Sequence, residues 1–158
     1  MAGLAGVPSR RAVFREQRRY GALEGVLESS GHLVLRPGYL EKATDWPLVE
    51  RLQIEGERVI ITVGTEAPRV VELGVAPELR ALVDAIRGPL SGDAGAVRRA
   101  FVATVSGDAG GWVLGLVPRG VGAKVLRGVR LEGHGDWVDR LTVVQANGDE
   151  QVMTITAQ

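Results

Sequence analysis

The chain has 158 residues, enough for one domain with a sizeable core, and its 19 basic residues balance 19 acidic ones. Zero net charge argues against a surface built for nucleic acid, and the absence of cysteine excludes disulfides, thiol nucleophiles and thiolate metal sites from this sequence. Glycine is abundant at 22 residues and aromatics make up only 4%, so a turn-rich β fold walled by Val, Leu and Ile is expected.

Residues 1–11 lack the basic start and apolar length of a signal peptide, which fits either a cytosolic protein or a mature end. No run approaches the roughly 18 apolar residues of a membrane-spanning helix, so the chain is not expected to be membrane-embedded. Residues 9–20 are expected to form a first helix, capped by Ser9, with Val13, Phe14 and Tyr20 as a narrow apolar edge. Arg10, Arg11, Arg15, Arg18 and Arg19 fill the rest of that helix. Such a basic run is either a solvated face or a docking surface for an acidic partner or anionic headgroups.

From Leu23 the period changes to two. Leu33 and Leu35 alternate with His32, Val34 and Arg36, and Pro37-Gly38 turns the chain into a polar strand ending at Trp46-Pro47. Leu52 and Ile54 then pair with Val59, Ile61 and Val63 across Glu55-Gly56-Glu57, and Val71 and Leu73 make a further short strand. Val75–Gly92 breaks the pattern. Leu79, Leu82, Val83, Ile86 and Leu90 fall on one face at helical spacing; Pro77 suits the first turn, and Gly88-Pro89 is expected to close a helix of about three turns. A shorter helix is expected after a capping Asp93.

A second β block follows, with Phe101, Ala103 and Val105 alternating before the glycine-rich turn at 107–111. Trp112, Leu114 and Leu116, then Val129 and Leu131, then 137–144 read as further strands, and Asn147-Gly148 makes a hairpin to the last one. About ten antiparallel strands with short links imply a mainly β fold: one domain over 1–158, a meander curled into a half-open barrel. Several strands, such as Val59-Ile60-Ile61, are apolar on both faces. The single strongly apolar helix therefore either fills the inner face permanently or covers a site that something apolar can occupy.

Catalytic chemistry has no positive sign. His32 and His134 are the only histidines and neither sits at a metal-ligand spacing. Ser30, His134 and Asp136 can be drawn as a triad, but there is no nucleophile elbow around a serine. The glycine clusters at 107–111 and 120–122 do not lie between a strand and a helix, as a phosphate-cradling loop must. No cofactor or metal is implied, and the chain is not expected to be an enzyme.

The order of short motifs carries more than any one of them. Phe14 and Arg18 precede Leu27, Gly31 and Leu33; next come Arg36-Pro37-Gly38 with Pro47 beyond, Leu52, Ile54, Gly56 and Val59, and the apolar helix. Gly92-Asp93 leads to Phe101, and then follow Trp112, Leu114, Leu116 and Pro118, Val129, Leu131 and Gly133, and Gly148-Asp149. In series, over residues 14–156, this resembles the LolA-type outer-membrane lipoprotein carriers, most of all the divergent LolA-like branch associated with aryl-polyene and related lipid pathways.

The resemblance implies a periplasmic carrier whose half-barrel, capped by helices, shields acyl chains of a lipoprotein or lipid-linked cargo. That cargo would come from an inner-membrane donor and pass to an outer-membrane acceptor, with the carrier acting as a monomer. Leu33, Leu35, Leu79, Leu82, Val83 and Ile86 are the residues expected to meet lipid. In such carriers the arginine of the Arg-Pro step helps hold the lid shut, and Arg36 stands at that step as the expected latch. Lys42 stands where the family often has an aromatic side chain. Burying five lid aliphatics at about 1.5–3 kcal/mol each gives roughly 7–15 kcal/mol. An acyl chain of about 14 methylenes at about 0.8 kcal/mol each gives roughly 11 kcal/mol, so lid and lipid can compete for one groove. The alternatives are a scaffold or interaction module whose barrel is filled by its own side chains, and a small enzyme acting on a hydrophobic intermediate.

Overall fold

The computed structural model describes residues 10–21, 24–36, 38–91 and 94–158. The first half holds β1 (Arg10–Arg19), β2 (Leu27–Arg36), β3 (Tyr39–Trp46), β4 (Glu50–Glu55), β5 (Arg58–Val63) and β6 (Arg69–Glu72). Two helices follow, α1 (Pro77–Ser91) and α2 (Ala94–Ala100). The second half holds β7 (Phe101–Asp108), β8 (Gly111–Pro118), β9 (Leu126–His134), β10 (Trp137–Gln145) and β11 (Glu150–Ala157).

All 11 strands form one antiparallel sheet in the order β6-β5-β4-β3-β2-β1-β11-β10-β9-β8-β7. Two meanders are thus joined at the centre, where the first strand pairs with the last. The outer strands β6 and β7 do not pair with each other, so the sheet stays open along one side.

Residues 10–19 are a strand, not the helix that their composition suggests, and the expected capping Ser9 lies outside the described residues. Arg, Glu, Gln and Ala favour helix locally, but pairing with β2 on one side and β11 on the other satisfies the backbone of the whole segment. Ala12, Phe14 and Glu16 are buried while their neighbours are not. The alternation is present in the sequence, but a charged residue occupies one of its inward positions.

Side chains at cross-strand partner positions share a face, so the register identifies an inner wall. It runs from Val59 and Ile54 through Leu40, Leu33 and Phe14 to Ile155, and on through Leu141, Leu131 and Leu114. α1 and α2 cover this wall. The core has two parts: one on the β2–β6 side that contains Val83, and one on the β7–β11 side that contains Ala85 and Val97. Ile86 packs against both. α1 runs 15 residues, about four turns, and continues through Gly88-Pro89 to Ser91 instead of stopping there. Proline lacks an N–H and disfavours a helix interior, yet Pro89 sits fully buried in the last turn. Asp93, the expected cap of α2, is outside the described residues.

Gly31 and Gly133 mark close approaches within the sheet. Gly31 lies at a register shift between β2 and β3, and a Cβ there would stand 1.9 Å from the Ala43 carbonyl oxygen. A Cβ at Gly133 would stand 2.5 Å from the Trp112 ring and 2.1 Å from the Trp137 carbonyl oxygen. By contrast, nothing lies within 4 Å of a Cβ placed at Gly111. Gly31→Ala is expected to lower stability by about 2–3 kcal/mol, because backbone must move to admit the methyl group. Gly111→Ala is expected to stay within about 0.5 kcal/mol of the parent. Urea midpoints of the two variants check both values.

Candidate functional site

The candidate site is the inner wall together with the helix that lies on it. α1 belongs to no strand ladder. Apolar side chains hold it to the sheet: Val83 is 4% exposed, Leu79 and Ile86 are half-buried, and the wall beneath offers Leu35, Leu52, Ile61 and Val71, each half-buried. Leu33 is buried in the other part of the core. Leu82 lies in the same helix, but its side chain is outside the described residues.

Polar tethers reach α1 at the tip of the β4–β5 hairpin. Arg80 pairs with Glu57, and the Arg87 guanidinium donates to the Gly56 carbonyl oxygen. Arg87 also sits 3.9 Å from Asp84 one turn back. Gly56 has φ 56°, the left-handed region that glycine enters without cost, and this turns its carbonyl to where Arg87 can reach it. The Arg80–Glu57 pair is solvent-exposed, so it contributes about 0–1 kcal/mol.

Arg36 is not one of these tethers. Five positions separate it from inward-facing Gly31, and strand parity therefore puts it on the outer face. There it is exposed, with its guanidinium 4.0 Å from the Tyr39 ring centroid. The Tyr39 hydroxyl donates to Glu41 at 2.7 Å and accepts from Gln53 at 3.0 Å, which completes an outer-face network. The contact shown for Arg36, the expected latch, is thus on the outer face, while the polar contacts of α1 with the hairpin tip come from Arg80 and Arg87.

An ionic cluster interrupts the apolar wall. Glu16 is 1% exposed, and Lys42, on the same face, is 15% exposed. One oxygen of Glu16 accepts from Arg18 Nε at 2.6 Å; the other accepts from Lys42 Nζ at 2.6 Å and Gln151 Nε2 at 2.5 Å. Lys42 Nζ also lies 5.2 Å from the Phe14 ring centroid. Burial alone would raise the Glu16 pKa, but the charges and hydrogen bonds of Lys42 and Arg18 outweigh it and hold the carboxyl below its ordinary value. Burial pulls the Lys42 amine down, and the Glu16 charge offsets only part of this.

Neither histidine joins a catalytic set. His32 Nδ1 lies 2.7 Å from Asp45, and His134 Nδ1 lies 2.7 Å from Asp139, both pairs at the surface. Asp136 is taken by Arg10, so the Ser30-His134-Asp136 triad is not assembled. Among the described residues no group of three or more His, Asp or Glu side chains is placed to hold a metal ion, and no helix is long and apolar enough to cross a membrane.

Glu16→Gln leaves Lys42 buried beside a neutral partner, which is expected to cost about 3 kcal/mol at neutral pH. A carboxyl held low in the folded state stabilises fully above its unfolded pKa, and that contribution is lost as pH falls through the folded value. The stability gap between the parent and Glu16→Gln, measured by urea unfolding from pH 7 down to pH 3, is therefore expected to narrow below about pH 4.

A family model described as outer membrane lipoprotein carrier protein LolA-like matches residues 4–157. No curated protein matches the chain. Among solved structures, a LolA superfamily protein from Nitrosomonas europaea has a similar fold, with a TM-score of 0.50 at 10% identity, covering 99% of this chain and 90% of that one. A DUF1329 family protein from Desulfovibrio piger aligns at a TM-score of 0.47 and 9% identity, over 97% of this chain and 85% of that one. With an open 11-stranded sheet capped by a helix and a family match over nearly its whole length, the chain belongs to the LolA-like family of outer membrane lipoprotein carrier proteins.

Proposed function

We propose that the protein is a non-enzymatic periplasmic carrier that shields an alkyl chain beneath α1. The cargo is an acylated lipoprotein or a lipid-linked small molecule, received at the inner membrane and delivered to an acceptor at the outer membrane by a monomeric carrier. One observation carries this reading. The element that fills the groove is a helix outside the sheet, seated by aliphatic side chains and tethered by arginines at a single hairpin tip. An alkyl chain offers the wall the same kind of contact, and sliding α1 aside breaks no strand pairing. Leu33, Leu35, Val83 and Ile86, with Leu79 and Leu82, are the side chains we assign to the lid and wall.

A second reading has its own support. Val83, Ala85 and Ile86 already close both parts of the core, as they would in a scaffold whose barrel is permanently self-filled. Native mass spectrometry of protein purified without detergent separates the two. A carrier retains alkyl-bearing adducts that are lost on delipidation and regained on incubation with a fatty acid, whereas a self-filled module shows the bare chain throughout. The tethers give a second test. If a guest must displace α1, loosening the helix by about 1.4 kcal/mol tightens guest binding about tenfold. Arg80→Ala combined with Arg87→Ala is therefore expected to bind cis-parinaric acid up to about tenfold more tightly than the parent, read by fluorescence titration.

A further inference from the structure

Within hydrogen-bond distance the ionic cluster sets two cations against one carboxylate, with Glu50 acting on Lys42 only from further off. Glu16 is one carboxylate facing two cations, Lys42 and Arg18, and Gln151 adds a neutral donor to the same oxygens. Lys42 sits in the wall itself, its cross-strand partners being Leu33 and Leu52. Glu16 is paired across strands with Met153. The positive charge is thus embedded in the apolar surface available to an alkyl chain, not at its margin.

Lys42 is an ammonium with three N–H groups, and among the described residues it donates one side-chain hydrogen bond, to Glu16. Arg18 commits its Nε to Glu16, is also hydrogen-bonded to Tyr20, and remains 44% exposed, so part of its guanidinium is open to solvent beside the cluster. A wall meant only for neutral hydrocarbon gains no cargo contact from a mostly buried ammonium, which costs desolvation in every folded molecule. An anion placed between Lys42 and Arg18 faces two cations and can accept from the Lys42 N–H groups, and charge-assisted bonds of this kind are stronger than neutral ones.

We propose that Lys42 and Arg18, positioned by Glu16 and Gln151, form the seat for an anionic headgroup, a carboxylate or a phosphate, on the amphipathic guest whose alkyl chain lies in the groove. This rests on the carrier reading and narrows its cargo to single-chain amphiphiles that bear a negative charge near the tail. Glu16 has a positioning role: it holds the Lys42 amine in the wall but does not itself bind the anion.

Isothermal titration with decanoic acid, decyl phosphate and decanol at neutral pH tests the seat, using the parent, Lys42→Met and Lys42→Arg. In the parent at least one anionic ligand is expected to bind ten or more times more tightly than decanol, and the stronger of the two identifies the headgroup. Lys42→Met is expected to bring that preference to within about twofold, with a far-ultraviolet circular dichroism spectrum matching the parent's as the check that the sheet is intact. Lys42→Arg is expected to retain the preference. Equal binding of acid, phosphate and alcohol by the parent overturns the headgroup seat but leaves the carrier intact. An undiminished preference in Lys42→Met overturns the assignment to Lys42, and binding of none of the three by the parent withdraws the carrier reading and the seat together.

Discussion

The interaction on which the structure depends is the burial of one helix face against two parts of a sheet that does not close. An antiparallel sheet can leave one face wet, but here the inner faces of both meanders are mostly apolar, and β6 and β7 do not meet to complete a barrel. α1 spans the division between the two parts of the core. Val83 belongs to one side, Ala85 to the other, and Ile86 touches both. The fold therefore has an element that is essential for covering apolar surface yet is outside the hydrogen-bonded framework. Apolar contact is non-directional, so another greasy object can replace it. On the proposed function, that property is what lets α1 give way to cargo.

The central strand shows how an ionic group is accommodated in such a wall. β1 joins the two meanders, and at Glu16 its inward position holds a carboxylate that is almost fully buried. Such a group is tolerable only with partners, and these come from β1 itself, from β3 and from β11. The cluster thus links strands from both halves of the chain beside the place where the first strand meets the last. Register errors there would strand a charge in hydrocarbon, so the cluster also specifies the pairing.

Much of this was legible in the residues. Period-two alternation located Leu33 and Leu35, Leu52 and Ile54, Leu114 and Leu116; Asn147-Gly148 located a hairpin; the spacing of Leu79, Val83 and Ile86 located the helix. β1 was not legible, because its alternation runs through Ala12, Phe14 and Glu16, and only one of these is a large apolar residue. With Glu16 read as polar, the segment looks like a basic helix. The face of Arg36 was also hidden: a motif gives its neighbours in sequence, whereas its side depends on counting strand positions from Gly31. The real tethers, Arg80 and Arg87, face a hairpin tip that no local pattern brings near them. In the sequence Lys42 stands out only as the lack of an aromatic residue; its pairing with Glu16 across 26 positions is a tertiary fact.

The central claim is that α1 must leave its seat for a guest to enter, and a reversible lock tests it most directly. A Cβ at Gly122 would stand 3.1 Å from the Ala81 Cβ, near the separation of about 3.5–4.5 Å in disulfides, and the chain has no cysteine to compete. The measurement is the affinity of the variant Ala81→Cys with Gly122→Cys for cis-parinaric acid, oxidised and then reduced in the same sample. The account predicts binding at least tenfold weaker when the pair is oxidised and recovery on reduction. Equal affinity in the two states, with the cross-link verified by mass, would contradict it.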